Sequence, residues 1–139
     1  MTLLVVDAAN VVGARPDGWW RDRAGATARL LERLAVLVGR EVPGPDGGMV
    51  RCDAVIAVVE GEARDVDGPP AVQVVRAART GDDAVVELAG RLGGQGPLLV
   101  VTADRGLRAR LPPGTSVAGP RWLLARLDEL AGRPHGDGG

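Results

Sequence analysis

The chain has no lysine, no phenylalanine and no tyrosine, and it holds one histidine and one cysteine among its 139 residues. Each absence closes a route. Without lysine there is no P-loop phosphate site and no Schiff-base chemistry. All 17 basic residues are arginine. The single cysteine, Cys52, allows neither an internal disulfide nor a multi-cysteine zinc site, and reads as a buried or neutral thiol; a reducing cytoplasm fits this usage. The only histidine, His135, stands in "GRPHGDGG", a Gly- and Pro-rich stretch with the character of a frayed end. No apolar run approaches the roughly 20 residues needed to cross a bilayer. Nor does the N-terminus show the basic-then-apolar pattern of a secretory signal. A formal net charge of −1 gives no global polyanion signature, so any nucleic acid must be met by a local arginine surface. Acid–base and metal chemistry therefore falls to aspartate and glutamate.

What is present is a globular composition. With 45% hydrophobic and 25% charged residues the chain can bury a core as one domain. The Ala/Gly/Val/Arg-heavy usage, with no Phe or Tyr, looks like that of a GC-rich bacterial genome. Continuous Val/Ile/Leu runs bounded by turn residues mark strands buried on both faces, at Leu3–Val6, Ala54–Val59, Ala71–Val75 and Leu98–Val101, with a weaker fifth at Ser116–Ala118. Helical spacing recurs at Ala26–Val38 and Asp82–Leu92, in "RGLRARL", and in "GPRWLLARLDELAG" with Pro120 in its first turn. The stretch "VPGPDGGMV" reads as a surface loop. The expectation is a single α/β domain over residues 1–131 and a flexible tail over 132–139. Alternating strands and helices imply a parallel sheet with right-handed crossovers, whose ligands bind at the carboxyl ends of the strands.

That rule selects particular acids. Asp7 follows the first strand, Glu60 the second and Asp104 the fourth, while Asp82 and Asp83 open the helix after the third. All five belong to one edge. Singly, most are explained as helix N-caps; Asp7 is less easily so explained, because no helix clearly starts beside it. Clustered carboxylates repel one another and need a compensating cation, and with no lysine or usable histidine a hard divalent metal is the natural partner. Oxygen-only ligands favour Mg2+ or Mn2+. Between Asp82 and Asp83 the spacing favours Asp82, because the apolar Val85 and Ala89 lie three and seven residues on, along its helix face.

Three segments, "VVDAANVV", "GDDAVVELA" and "VVTADRGLRARL", resemble in this order the signature segments of PIN-like nucleases, above all the NYN branch with its YacP-like bacterial proteins. The resemblance implies a three-layer α/β/α domain whose five parallel strands run 3-2-1-4-5, and a metal-dependent ribonuclease activity. It implies that Asp7, Asp82 and Asp104 bind metal, that Asn10 helps hold the site or the scissile phosphate, and that Thr102 orients the last acid. The remaining family acid falls on either Glu60 or Asp83.

"GARPDGWWRDRAGAT" is longer than the usual strand-to-helix connection and carries Arg15, Arg21 and Arg23 with Trp19 and Trp20. Arginine forks suit phosphate oxygens and indoles stack on bases; alternatively, the tryptophans cover the first helix and the arginines solvate the loop. Arg105 either pairs with Asp104 or contacts phosphate. Arg76 and Arg79 are candidates for a basic rim. Trp122 reads as a packing residue. RNA is the expected partner and a membrane is not; the oligomeric state, a homodimer included, stays open. Hydrolysis of small nucleotides by the same acids is the second reading, although Ala9 breaks any Asp-x-Asp motif. A non-catalytic RNA-binding protein of PIN-like fold is the third. A dinucleotide-binding domain is disfavoured, because "DAANVVG" lacks the glycine-rich turn.

Overall fold

The computed structural model describes residues 2–15 and 18–136, with Trp19 and residues 133–136 described by backbone alone. Five parallel strands form the frame: β1 (Thr2–Asp7), β3 (Met49–Val59), β4 (Gln73–Arg76), β5 (Leu98–Val101) and β6 (Ser116–Ala118). They pair β4–β3, β3–β1, β1–β5 and β5–β6. The sheet departs from the expected five-stranded order by a sixth member. Here β2 (Glu41–Pro43) lies antiparallel on the extended N-terminal part of β3, pairing Val42 with Val50 and Pro43 with Met49. The stretch read as a surface loop is thus a hairpin. Its turn closes with the Gly44 N–H donating to the Gly48 carbonyl at 2.6 Å, and Gly47 takes a positive φ of 96° that suits the Asp46–Gly47 pair.

Alternation along the strands divides the core. Leu4, Val6, Val55, Ala57, Leu99 and Val101 pack against α1 (Ala8–Gly13), α2 (Arg23–Leu37) and α5 (Pro120–Gly136). Val5, Ile56, Val58 and Val100 face α3 (Gly81–Leu92) and α4 (Arg105–Arg110). The result is the three-layer α/β/α arrangement. Trp122 packs against the first cluster, and its indole N–H donates to the Pro43 carbonyl at 3.0 Å. Cys52 is fully buried, and burial pushes its thiol up to about 11.

Several boundaries differ from the sequence reading: β3 starts at Met49 and not Ala54, and β4 spans Gln73–Arg76 and not Ala71–Val75. A short helix, α1, starts directly after Asp7; its Val11 and Val12 are weak helix formers and six residues are too few to show a period, so it is held by packing. Helix α2 begins at Arg23, three residues before the expected start, because the Asp22 carboxylate caps it by accepting from the Gly25 N–H at 2.9 Å. Helix α5 continues to Gly136, into the stretch expected to be a tail.

Candidate active site

Register places the site. Asp7 lies opposite Val58 of β3, and Val6 opposite Val101 of β5, so Glu60 and Thr102, which follow those strands, flank Asp7 on either side. Alternation puts Asp7 on the α3 side of the sheet with Val5. Asp7 is 4% exposed, and burial is the main reason its carboxyl rises from 3.8 to about 6; the carboxylates of Asp82 and Glu60 push it further, against hydrogen bonds from the Thr102 hydroxyl and the Asn10 backbone N–H. Asp7 stands at the N-cap position of α1, where its approach to the Asn10 backbone N–H falls short of a full capping hydrogen bond; its firm partner is the Thr102 hydroxyl.

Thr102 ties the acids together. Its hydroxyl donates to Asp7 at 3.0 Å and accepts from the Asp104 N–H at 3.2 Å. Thr102 is fully buried, so it is placed to position Asp7 and Asp104 and not to touch a substrate. Arg108 donates through Nε and Nη2 to the Thr102 carbonyl, at 3.1 and 2.7 Å. The Asn10 side-chain oxygen accepts from the Ala103 N–H at 2.8 Å, which leaves the amide NH2 as its donor side.

Asp82 is the centre of the acid group. Desolvation raises its pKa, and Asp104 and Glu60 raise it further, with Arg110 opposing. Glu60 and Asp104 also do capping work. A Glu60 oxygen accepts from the Gly81 N–H at the start of α3 at 2.5 Å, and Asp104 caps α4 by accepting from the Leu107 N–H at 3.0 Å. Gly81 permits the first contact, since a Cβ there would come within 3.0 Å of the Glu60 carboxyl. Among the described residues, no group of three or more His, Cys, Asp and Glu side chains is arranged to hold an ion by itself.

Asp83, one residue on, stands apart. It is exposed and paired with Arg110 at 2.8 Å, and that arginine together with the Thr80 hydroxyl lowers its pKa. Thr80 caps α3. Neither Arg110, Arg108 nor Thr80 was singled out from the sequence; the Thr80–Gly81 pair ahead of an amphipathic run was a legible cap signal.

The arginines disperse. Arg23 belongs to α2 and lines a cavity of about 400 Å³ with Glu60 and Arg79. Arg15 lines a different cavity, of about 300 Å³, with Arg29 and Arg33, and none of the acids borders it. Arg21 and Trp20 are exposed in the connection from α1 to α2, while the Trp19 side chain lies outside the described residues. Arg105 is exposed at the first position of α4 and pairs with no described acid. Arg76 is not part of a rim: it donates to the carbonyls of Arg64 and Val66 and so ties down the segment before β4.

An acid cluster at the carboxyl edge of this sheet sits on a PIN-like α/β fold. The chain is similar in structure to Rae1 (YacP) from Bacillus subtilis: one crystal structure gives a TM-score of 0.73 at 19% identity, covering 97% of this chain and 78% of that one. A tryptophan-to-leucine mutant of the same protein gives 0.69 at 20% identity, covering 97% and 80%. No family model and no curated protein matches the sequence. Among the described residues no helix is long and apolar enough to cross a membrane.

Proposed function

We propose that the protein is a metal-dependent ribonuclease that hydrolyses RNA phosphodiester bonds at the carboxyl edge of its sheet. The carrying observation is Asp82, whose ionised form is disfavoured by burial and by Asp104 and Glu60, while Asp7 is disfavoured by burial and by Asp82 and Glu60. Such a group is short of positive charge. Its donors are all oxygen, which suits Mg2+ or Mn2+. The open spacing suits an ion that keeps several waters and takes only one or two carboxylates directly. Asp7, Asp82 and Asp104 would hold it, with Glu60 as the further acid. The bound ion would supply the positive charge that makes water nucleophilic near neutral pH and offsets charge developing on the phosphate.

The chain's own residues do the rest. Thr102 and Arg108 fix Asp7 and Asp104 on rigid elements. Asn10 offers an uncharged donor that orients an oxygen without adding repulsion. Arg105, exposed beside Asp104, is placed to meet a phosphate. The test offers structured and single-stranded RNA pools together with nucleoside triphosphates, and identifies the products. RNA cleavage silenced by chelator and restored by manganese or magnesium supports the reading. Hydrolysis of the triphosphates alone assigns a phosphohydrolase, and binding without cleavage assigns a non-catalytic RNA-binding protein.

A further inference from the structure

We propose that the cleft between α1 and α5 is a subsite for a phosphate and its attached sugar, occupied by a nucleotide unit next to the one at the acids. The inference rests on the ribonuclease reading for its biological setting, but not for its chemistry. The cleft has a volume of about 520 Å³, within the range of small-molecule sites. Ala9, Gly13, Ala14 and Ala103 leave it open, and its polar lining includes Asn10 and Arg121.

Arg121 has no ion pair or hydrogen bond with any described residue. The two acids further along its own helix are already engaged, Asp128 by Arg33 at 2.5 Å and Glu129 by Arg126 at 2.7 Å. A guanidinium at the mouth of a cleft with no acid among its described lining residues is matched to a phosphate oxygen pair. Asn10 turns its oxygen to the Ala103 N–H, so its NH2 group is the part that remains for a ligand acceptor.

Position connects the cleft to the acids. Ala103 immediately precedes Asp104, and Ala9 borders both this cleft and the cavity that contains Glu60, Arg23 and Arg79. An extended strand passing over Ala9 therefore meets Arg121 on one side and Arg79 on the other. No aromatic ring is among the described residues that line the cleft, so these read backbone and not base identity.

The experiment measures binding of a short single-stranded RNA, and separately of a nucleoside 5′-monophosphate, in EDTA. It uses wild type, Arg121→Ala and Ala14→Leu, with backbone amide shifts at Gly13 and Ala103 as the local readout. Both substituted residues are exposed, and thermal melting verifies that the variants fold. Arg121→Ala should weaken RNA binding about tenfold, the scale of one charge-assisted hydrogen bond, and reduce the salt slope by roughly one. Ala14→Leu, which narrows the cleft, should weaken binding while leaving that slope alone. Amide shifts with the monophosphate alone identify a free-nucleotide site; shifts with RNA only identify a strand site. Unchanged affinity and salt slope in Arg121→Ala, or amides that move with neither ligand, overturn the proposal. Because no metal is present, loss of cleavage and loss of the subsite are separate results. Wild type that binds through Arg121 but never cleaves removes the ribonuclease reading alone. Metal-dependent cleavage with KM indifferent to Arg121→Ala removes the subsite alone.

Discussion

The first turn of α3 carries two aspartates with opposite surroundings. Asp82 faces the end of the sheet, where Asp7, Glu60 and Asp104 outweigh the pull of Arg110; Asp83 faces α4, where Arg110 pairs with it directly. Adjacent residues on a helix differ by about 100° in direction, so one step along the sequence exchanges a frustrated carboxylate for a satisfied one. The difference teaches where to look for function. A salt-bridged acid has met its partner inside the protein, whereas an acid held among acids is the candidate ligand for a cation.

The largest effect that sharpens this contrast is on rate. Asp82→Asn should slow RNA cleavage by about a thousandfold or more, on the order of 4 kcal/mol of barrier, because under the proposed function it removes a ligand of the catalytic ion. Asp83→Asn should change the rate by less than about threefold, since a screened surface pair carries little. Single-turnover cleavage with manganese measures both. Equal losses would erase the distinction between the two residues.

Stability gives the second test, with a defined sign. The folded pKa of Asp7, about 6, lies above its ordinary 3.8, so the folded state holds this proton more tightly. The stability tied to that proton is complete below about pH 4 and is lost as pH rises through 6, to a total of about 3 kcal/mol. In metal-free protein Asp7→Asn should therefore melt higher than wild type at pH 7.5 and no higher at pH 4. The amide oxygen of the variant can still accept from Thr102. Added manganese should stabilise wild type and leave the variant unmoved. Equal pH dependence in wild type and variant would show that Asp7 carries no such burden.

A smaller effect belongs to Asn10. Asn10→Ala should slow cleavage by roughly 10- to 100-fold, corresponding to about 1.5–3 kcal/mol for a hydrogen bond to a charged oxygen. Manganese affinity should be retained, which separates an orienting role from that of the carboxylates. Loss of manganese affinity in this variant would make Asn10 part of the ion's own support.

Much of this was legible before the fold was seen. The Val/Leu runs of β1 and β5 and the spacing of α2 and α3 are strong signals because burial on both faces demands unbroken apolar strands. They fixed the edge at which Asp7, Asp82 and Asp104 end. What escaped depends on neighbours distant in sequence. Helix α1 is six residues long with two adjacent valines, so tertiary packing and not propensity makes it. Arg110 meets Asp83 only because α4 lies beside α3. The double role of Thr102 needs the register of β1 against β5. Arg23 looked like a loop cation because the cap at Asp22 carries no signal stronger than those of the Gly and Arg residues around it.

The most direct measurement is a manganese-soaked crystal read by anomalous scattering. The account predicts one strong peak at the carboxyl edge of the sheet between Asp7 and Asp82, with oxygen-only coordination and with Asp104 or Glu60 in contact directly or through water. No peak at that edge, or a peak beside Asp83 and Arg110, would contradict it.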